Sequence, residues 1–166
     1  MLDIFQLRRE FRIVSGGQSG ADQAALDWAI THSIKQSGWC PKGRRSEDGL
    51  IDARYDLAET PLANYLQRTE WNVRDSDATV IFTLSEKLDG GSKHTAEFAR
   101  ILTRPWLHFR PGVHPKYLAR FLQAHQVMTL NVAGKRESSA PGIYQFEQAR
   151  LGAALNAAEV PDKGQT

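Results

Sequence analysis

A single cysteine, Cys40, stands among the 166 residues, so no disulfide can close within the chain. That scarcity points to a reducing compartment, and a cytoplasmic protein is expected. Long apolar runs are missing as well. No stretch approaches the roughly 20 apolar residues of a membrane span, and Asp3, Arg8, Arg9 and Glu10 interrupt the opening segment where a secretory signal would be uniformly apolar. Nor is there a strong charge of either sign. With 21 basic and 19 acidic side chains the net charge is +2, so neither nucleic acid nor a membrane surface is expected as a partner. Repeats, low-complexity tracts and interdomain linkers are also lacking. Length and a hydrophobic share of 41% suit one independent core. We expect a single domain over 1–158 and a disordered tail over 159–166, where Pro161 and Gly164 break a polar stretch.

What is present is an alternation of short apolar runs and amphipathic stretches. Phe11 to Ser15 is a β-branched run stopped at Gly16-Gly17, a strand ending in a turn. Ala25, Leu26, Ala29 and Ile30 recur at helical spacing and predict a helix over 21–36. Gly38 and Trp39 are expected in a short second strand ended by Pro41 and Gly43, with 42–54 a long loop. Thr60 and Pro61 open a predicted short helix over 61–67. Ala78 to Leu84 is apolar enough for the centre of a parallel sheet, and a helix from Lys93 to Leu102 follows it. Strands over 106–109 and 127–132, a helix over 114–125 and a last helix through Ala158 complete the series. The alternation predicts an α/β fold, a doubly wound, mostly parallel sheet with helices on both faces. Ligands of such sheets bind beyond the carboxyl ends of the strands.

Two glycine-rich turns fall at those ends. In Ser15-Gly16-Gly17-Gln18-Ser19-Gly20-Ala21-Asp22, glycines allow close backbone approach. The helix behind them offers unsatisfied N–H groups and about half a positive charge, which together make an anion site. Ser19 and Asp22 equally fit an S-x-x-D helix cap, in which case the glycines only turn the chain. Asp89-Gly90-Gly91-Ser92-Lys93-His94-Thr95-Ala96-Glu97 repeats the chemistry, with Ser92 as the expected cap. A cation at Lys93 opposes the helix dipole unless an anion is held nearby. His94 reads either as a ligand contact or as a surface residue, and Glu97 as facing the crevice or solvent. The G-G-x-x-G spacing is not the dinucleotide fingerprint. Where that motif needs an acidic residue, the chain carries Lys42, Arg44 and Arg45. The G-x-x-x-x-G-K phosphate loop is missing too. The residues therefore point to a small anionic ligand.

Several blocks together carry a more specific resemblance. Ile13 to Asp22 with Ala24 to Asp27, Gly38 to Arg44 with Glu47-Asp48-Gly49, Arg68 to Asp77, and Gly90-Gly91-Ser92 resemble, in this order, the molybdenum-cofactor carrier family. The resemblance covers about 12–109 and is weaker beyond. It implies a three-layer Rossmann-like fold related to lysine-decarboxylase-like, lonely-guy and SLOG proteins. It also implies a homo-oligomer, commonly a tetramer, that binds molybdenum cofactor (molybdopterin) or molybdate and protects it until delivery to molybdoenzyme recipients. On this analogy Gly16, Gly17, Gln18, Ser19, Gly20 and Asp22, with Gly90, Gly91, Ser92, Lys93, His94, Thr95 and Glu97, hold phosphate or molybdate oxygens. Lys42 and Arg44 add charge, and Arg68 and Asn72 close the site. The expectation is a binding protein without turnover.

The same relatives supply an enzymatic alternative, a nucleoside-monophosphate phosphoribohydrolase of the lonely-guy kind, and a third, a nucleotide sensor. The hydrolase pattern is P-G-G-x-G-T-x-x-E. Here the run D-G-G-S-K-H-T-A-E keeps the distance from the glycine pair to Glu97 but replaces the proline with Asp89 and the third glycine with Lys93. Cys40 reads as a packing residue, since one cysteine without a neighbouring histidine makes no zinc site. Trp39 and Trp71 are the aromatics placed to stack on a pterin ring, packing being the alternative. His108, His114 and His125 lack metal-ligand spacing.

Overall fold

The computed structural model describes residues 3–156. Five parallel strands make the central sheet: β1 (Arg12–Val14), β2 (Lys35–Ser37), β3 (Ala78–Phe82), β4 (Trp106–Phe109) and β5 (Thr129–Gly134), in the order β2-β1-β5-β3-β4. Helices α1 (Ala21–Thr31), α2 (Tyr65–Arg74), α3 (Gly90–Ile101), α4 (Pro115–Ala124) and α5 (Ile143–Ala154) connect them. Helices α1, α4 and α5 pack together on one face, and α2 packs on α3 on the other. This is the three-layer, doubly wound α/β architecture. β3 is buried at all five positions, as a strand covered on both faces must be.

The core lies mainly under α1, α4 and α5. Phe11, Ile13, Phe82, Phe109, Leu118 and Leu130 are each at most 2% exposed there, and each such side chain contributes about 1.5–3 kcal/mol by leaving water. A smaller cluster of Leu26, Cys40, Ile51, Tyr55 and Leu57 anchors the long 38–58 connection to α1. Cys40 is wholly buried in it, and burial pushes its thiol up.

Four local expectations are corrected. Helix α1 ends at Thr31 because Ser33 takes φ 55, and the polar stretch Lys35–Ser37, not Gly38–Trp39, becomes the second strand of the sheet. Trp39–Cys40 instead pair with Ala58–Glu59 outside the main sheet. The helix expected over 61–67 is α2, over 65–74. The Asn64 side chain caps it by accepting from the Gln67 amide at 3.0 Å, whereas Pro61 lies in the preceding bend. The 42–54 loop contains a small hairpin, Arg45–Ser46 against Gly49–Leu50. After α5 the chain turns at Leu155–Asn156 to pair with Phe5–Gln6; residues 157–158 of the expected last helix and the expected tail lie outside the described residues. Among the described residues no helix is long and apolar enough to cross a membrane.

Candidate functional site

The connection from β1 runs to one edge of the sheet and that from β3 to the other, with β5 between them. Loops diverging from neighbouring strand ends leave a crevice at that point. Here it is a cleft of about 620 Å³ with four walls. The loop after β1 contributes Gly16, Gln18 and Asp22; α2 contributes Tyr65, Leu66, Arg68, Thr69 and Asn72. The start of α3 gives Asp89 to Ser92, His94 and Thr95, and the end of β5 with its loop gives 131–136 and Ser139.

The two glycine turns differ in what they leave open. Around the first, the Gln18 amide donates to the Asp22 carboxylate (3.1 Å), the Ser19 amide to Gln18 Oε1 (3.0 Å) and the Ala21 amide to the Lys135 carbonyl (3.0 Å). The chain's own Asp22 carboxylate thus takes up two of this turn's amides, those of Gln18 and Gly16. Arg68 lies 3.5 Å from that carboxylate and donates to the Gly16 carbonyl at 3.0 Å. Burial nevertheless raises the Asp22 pKa, outweighing Arg68 and the amide and hydroxyl donors around it. Behind Asp22, Glu147 of α5 is fully buried, and neither carboxylate oxygen has a hydrogen-bond partner among the described residues. Burial, and secondarily the charge of Asp22, pushes Glu147 well above the carboxylate range.

The second turn is open. Its N-cap is Asp89, not Ser92, and the Asp89 side chain makes no cap bond because its carboxylate pairs with Lys135. The amides of Gly90, Gly91 and Ser92 precede the first intrahelical bond and donate to no acceptor among the described residues. A Cβ at either glycine would meet open space. Around this opening stand three cations. Lys135 also donates to the Asp89 carbonyl, and burial lowers its pKa. Arg68 and Arg136 each place the guanidinium 5.2 Å from the Tyr65 ring, at cation–π distance. Arg136 is half-buried and forms no ion pair or side-chain hydrogen bond with the described residues.

Of the residues singled out in the sequence, the fold gathers Gly16, Gln18, Asp22, Arg68, Asn72, Gly90, Gly91, Ser92, His94 and Thr95 around the cleft. Asn72 is committed, its side chain bonding both the amide and the carbonyl of Trp39. Gly17, Ser19, Gly20, Lys42, Arg44, Lys93 and Glu97 do not line it. Gly17 turns inward at φ +81, where a Cβ would stand 2.6 Å from Leu57. Gly20 is pressed against the Lys135 carbonyl. Arg44 is spent on the carbonyls of Leu57, Asp52 and Tyr55. Lys42 and Lys93 are exposed, and Glu97 faces His94 at 3.4 Å. Trp39 and Trp71 contact each other edge-on, Trp39 donates to Asp75, and neither lines the cleft. Tyr65, Lys135 and Arg136 were not singled out; the Ala133-Gly134 stop just before Lys135 was the available signal, a third turn at a strand's carboxyl end.

Glu47 ties the walls together. Its carboxylate accepts from the Ser19 and Ser138 hydroxyls, and its amide donates to Gln18 Oε1 at 2.8 Å. The Ser138 and Ser19 hydroxyls hold its pKa below the ordinary value, so its contribution is complete above the ordinary carboxylate range and fades as pH falls through the lowered value. Glu47→Ala is expected to speed hydrogen exchange of the 45–50 amides at neutral pH. The wild type should show the same acceleration, after correction for intrinsic rates, only in acid. Unchanged exchange in the variant would remove Glu47 from this role.

These features define an α/β protein with a cleft at the switch point of its sheet, lined by three cations and the open amides of α3. The chain belongs to the circularly permutated YpsA SLOG family, whose model matches residues 13–155. It is similar to a crystal structure from Syntrophus aciditrophicus SB described as a "putative molybdenum carrier protein", at 41% identity and a TM-score of 0.82, over 86% of this chain and 92% of that one. No curated protein matches the chain.

Proposed function

We propose that this protein is a carrier that holds molybdenum cofactor or molybdate in the cleft for delivery to molybdoenzymes, without chemical turnover. One observation supports the reading above others: the half-buried Arg136 guanidinium, which forms no salt bridge with the described residues and acts only at a distance on Glu47, lines the same cleft as the open amides of α3. A cation outside any salt bridge, in one cleft with unpaired N–H groups, suits an oxyanion. The α3 amides, Arg136 and Lys135 would hold phosphate or molybdate oxygens, with Tyr65 in cation–π contact with Arg136 and Arg68. The carrier name of the Syntrophus relative supports the same cargo. Glu97, the carboxylate of the hydrolase pattern, lies outside the cleft lining, which favours binding over hydrolysis.

Protein purified from molybdenum-replete cells is expected to carry molybdenum by elemental analysis, with pterin if the cargo is the whole cofactor. Arg136→Ala should weaken retention roughly 10–100-fold, the worth of a charge-assisted hydrogen bond. Gly91→Val should block the cleft while the fold survives, because its Cβ direction is open; valine at Gly17 would strike Leu57 and test the core instead. Folded wild-type protein without molybdenum, and unaffected by added molybdate, would overturn the proposal.

A further inference from the structure

A separate pocket opens on the face of β1 and β2 that α1 does not cover. Side chains alternate along a strand, so Ile13 turns into the core under α1 while Arg12 and Val14 turn to the opposite face. In register with them stand Thr129 of β5 beside Arg12 and Ser37 of β2 beside Val14. The 38–58 connection, which forms no helix, leaves about 410 Å³ open over this row, within the roughly 300–1,000 Å³ of small-molecule sites. No residue lines both this pocket and the cleft.

The polar groups of the pocket are uncommitted. Arg12 forms no ion pair or side-chain hydrogen bond with the described residues; it acts only at a distance on Glu10, whose carboxylate Lys35 holds at 2.9 Å. The Asp56 carboxylate is likewise without a partner among them, and only its backbone amide is engaged, by Gln36. The half-buried Ser37 and Thr129 make no side-chain hydrogen bond there either, and their hydroxyls stay open to solvent. Asp75, the other carboxylate in the lining, is already satisfied by the Trp39 indole and by Arg74.

Trp39 gives the pocket a fixed wall. Asn72 holds its amide at 2.8 Å and its carbonyl at 2.9 Å, Asp75 accepts from the indole N–H at 2.8 Å, and Trp71 meets the ring edge-on at 4.8 Å. A half-buried indole locked at so many points is pre-organised to receive a flat ring.

We propose that this pocket binds a free aromatic α-amino acid. An unpaired cation and an unpaired carboxylate in one cavity match a zwitterion, and the locked indole matches a flat apolar side chain. Arg12 and the Ser37 and Thr129 hydroxyls take the α-carboxylate, Asp56 takes the α-ammonium, and the ring lies against Trp39 and Val14. An aromatic acid without the amine would bring a like charge to Asp56, and an aromatic amine would leave Arg12 unanswered. The assignment is independent of what the cleft carries.

NMR titration of the isotope-labelled full chain with L-phenylalanine is expected to shift the amides of 12–14, 37–39, 56–58 and Thr129, with a Kd near or below about 1 mM. Phenylpropanoate, which lacks the ammonium, and phenethylamine, which lacks the carboxylate, should each bind about 10-fold more weakly, the loss of one charge-assisted contact. Arg12→Gln and Asp56→Asn change exposed side chains without partners, so the fold survives; each should weaken L-phenylalanine by about the same factor. Unmoved amides at millimolar L-phenylalanine, or shifts centred on the cleft instead, would overturn the site. Full affinity in either variant, or for either single-charge analogue, would do so as well.

Discussion

Arg68→Met is expected to lower stability by about 3–5 kcal/mol at neutral pH, because it strands a buried carboxylate. Arg68 is the cation 3.5 Å from Asp22, and both side chains are 11% exposed. Its loss also leaves the Gly16 carbonyl without its guanidinium donor. The pH dependence carries the diagnosis. Burial already raises Asp22 above its ordinary value, and without Arg68 it must rise further. An acid whose folded pKa exceeds its unfolded one takes up a proton on folding. Its penalty is therefore absent in acid and grows as pH rises from the ordinary Asp range through the folded value. Urea denaturation of the variant at pH 5 and pH 8 should give a larger deficit at the higher pH. A deficit equal at both would sink this account of the pair.

The second large effect has the opposite sign. Glu147→Met should stabilise the protein by roughly 1–3 kcal/mol at pH 8, the cost of a buried polar group without partners. Glu147 is fully buried with both oxygens unpartnered among the described residues, and methionine adapts to irregular space. Burial and the nearby Asp22 raise the Glu147 pKa. Wild-type stability should therefore decline as pH climbs from the ordinary Glu range toward that raised value. The variant should lack this part of the slope and gain least near pH 5. Destabilisation at pH 8 would mean that the carboxyl has a partner worth keeping.

The fold class was legible because Ala78–Phe82 is an uninterrupted apolar run and the strand–helix alternation is regular. The edge strand Lys35–Ser37 was not, since a strand at the sheet's border needs no apolar side chains and the preceding helical pattern ran straight into it. Helix α2 was masked by Thr60-Pro61, a stronger local start signal than Asn64. In the site, both glycine turns could be read from spacing, but not which of them was already filled. Asp22 is a helix-capping residue by pattern and an internal anion only by geometry. Lys135 and Arg136 join the cleft because β5, last in sequence, inserts between β1 and β3. That adjacency is topological and leaves no local mark. Glu147 is the sharpest miss, since an acidic residue on a helix is ordinarily assigned to the solvent side.

The filled turn after β1 bears on how this architecture can diversify. With Asp22, Arg68 and Glu47 locking that loop into the scaffold, substitutions there put folding at risk before they alter cargo choice. The start of α3, where a Cβ at Gly90 or Gly91 meets open space, carries few such obligations, so a lineage can retune it and keep its frame. The 135–139 segment, by contrast, is tied to the scaffold through Ser19, Ala21, Glu47 and Tyr144. Changes of ligand among relatives should therefore map to the start of α3, with the loop after β1 and the 135–139 segment held nearly constant.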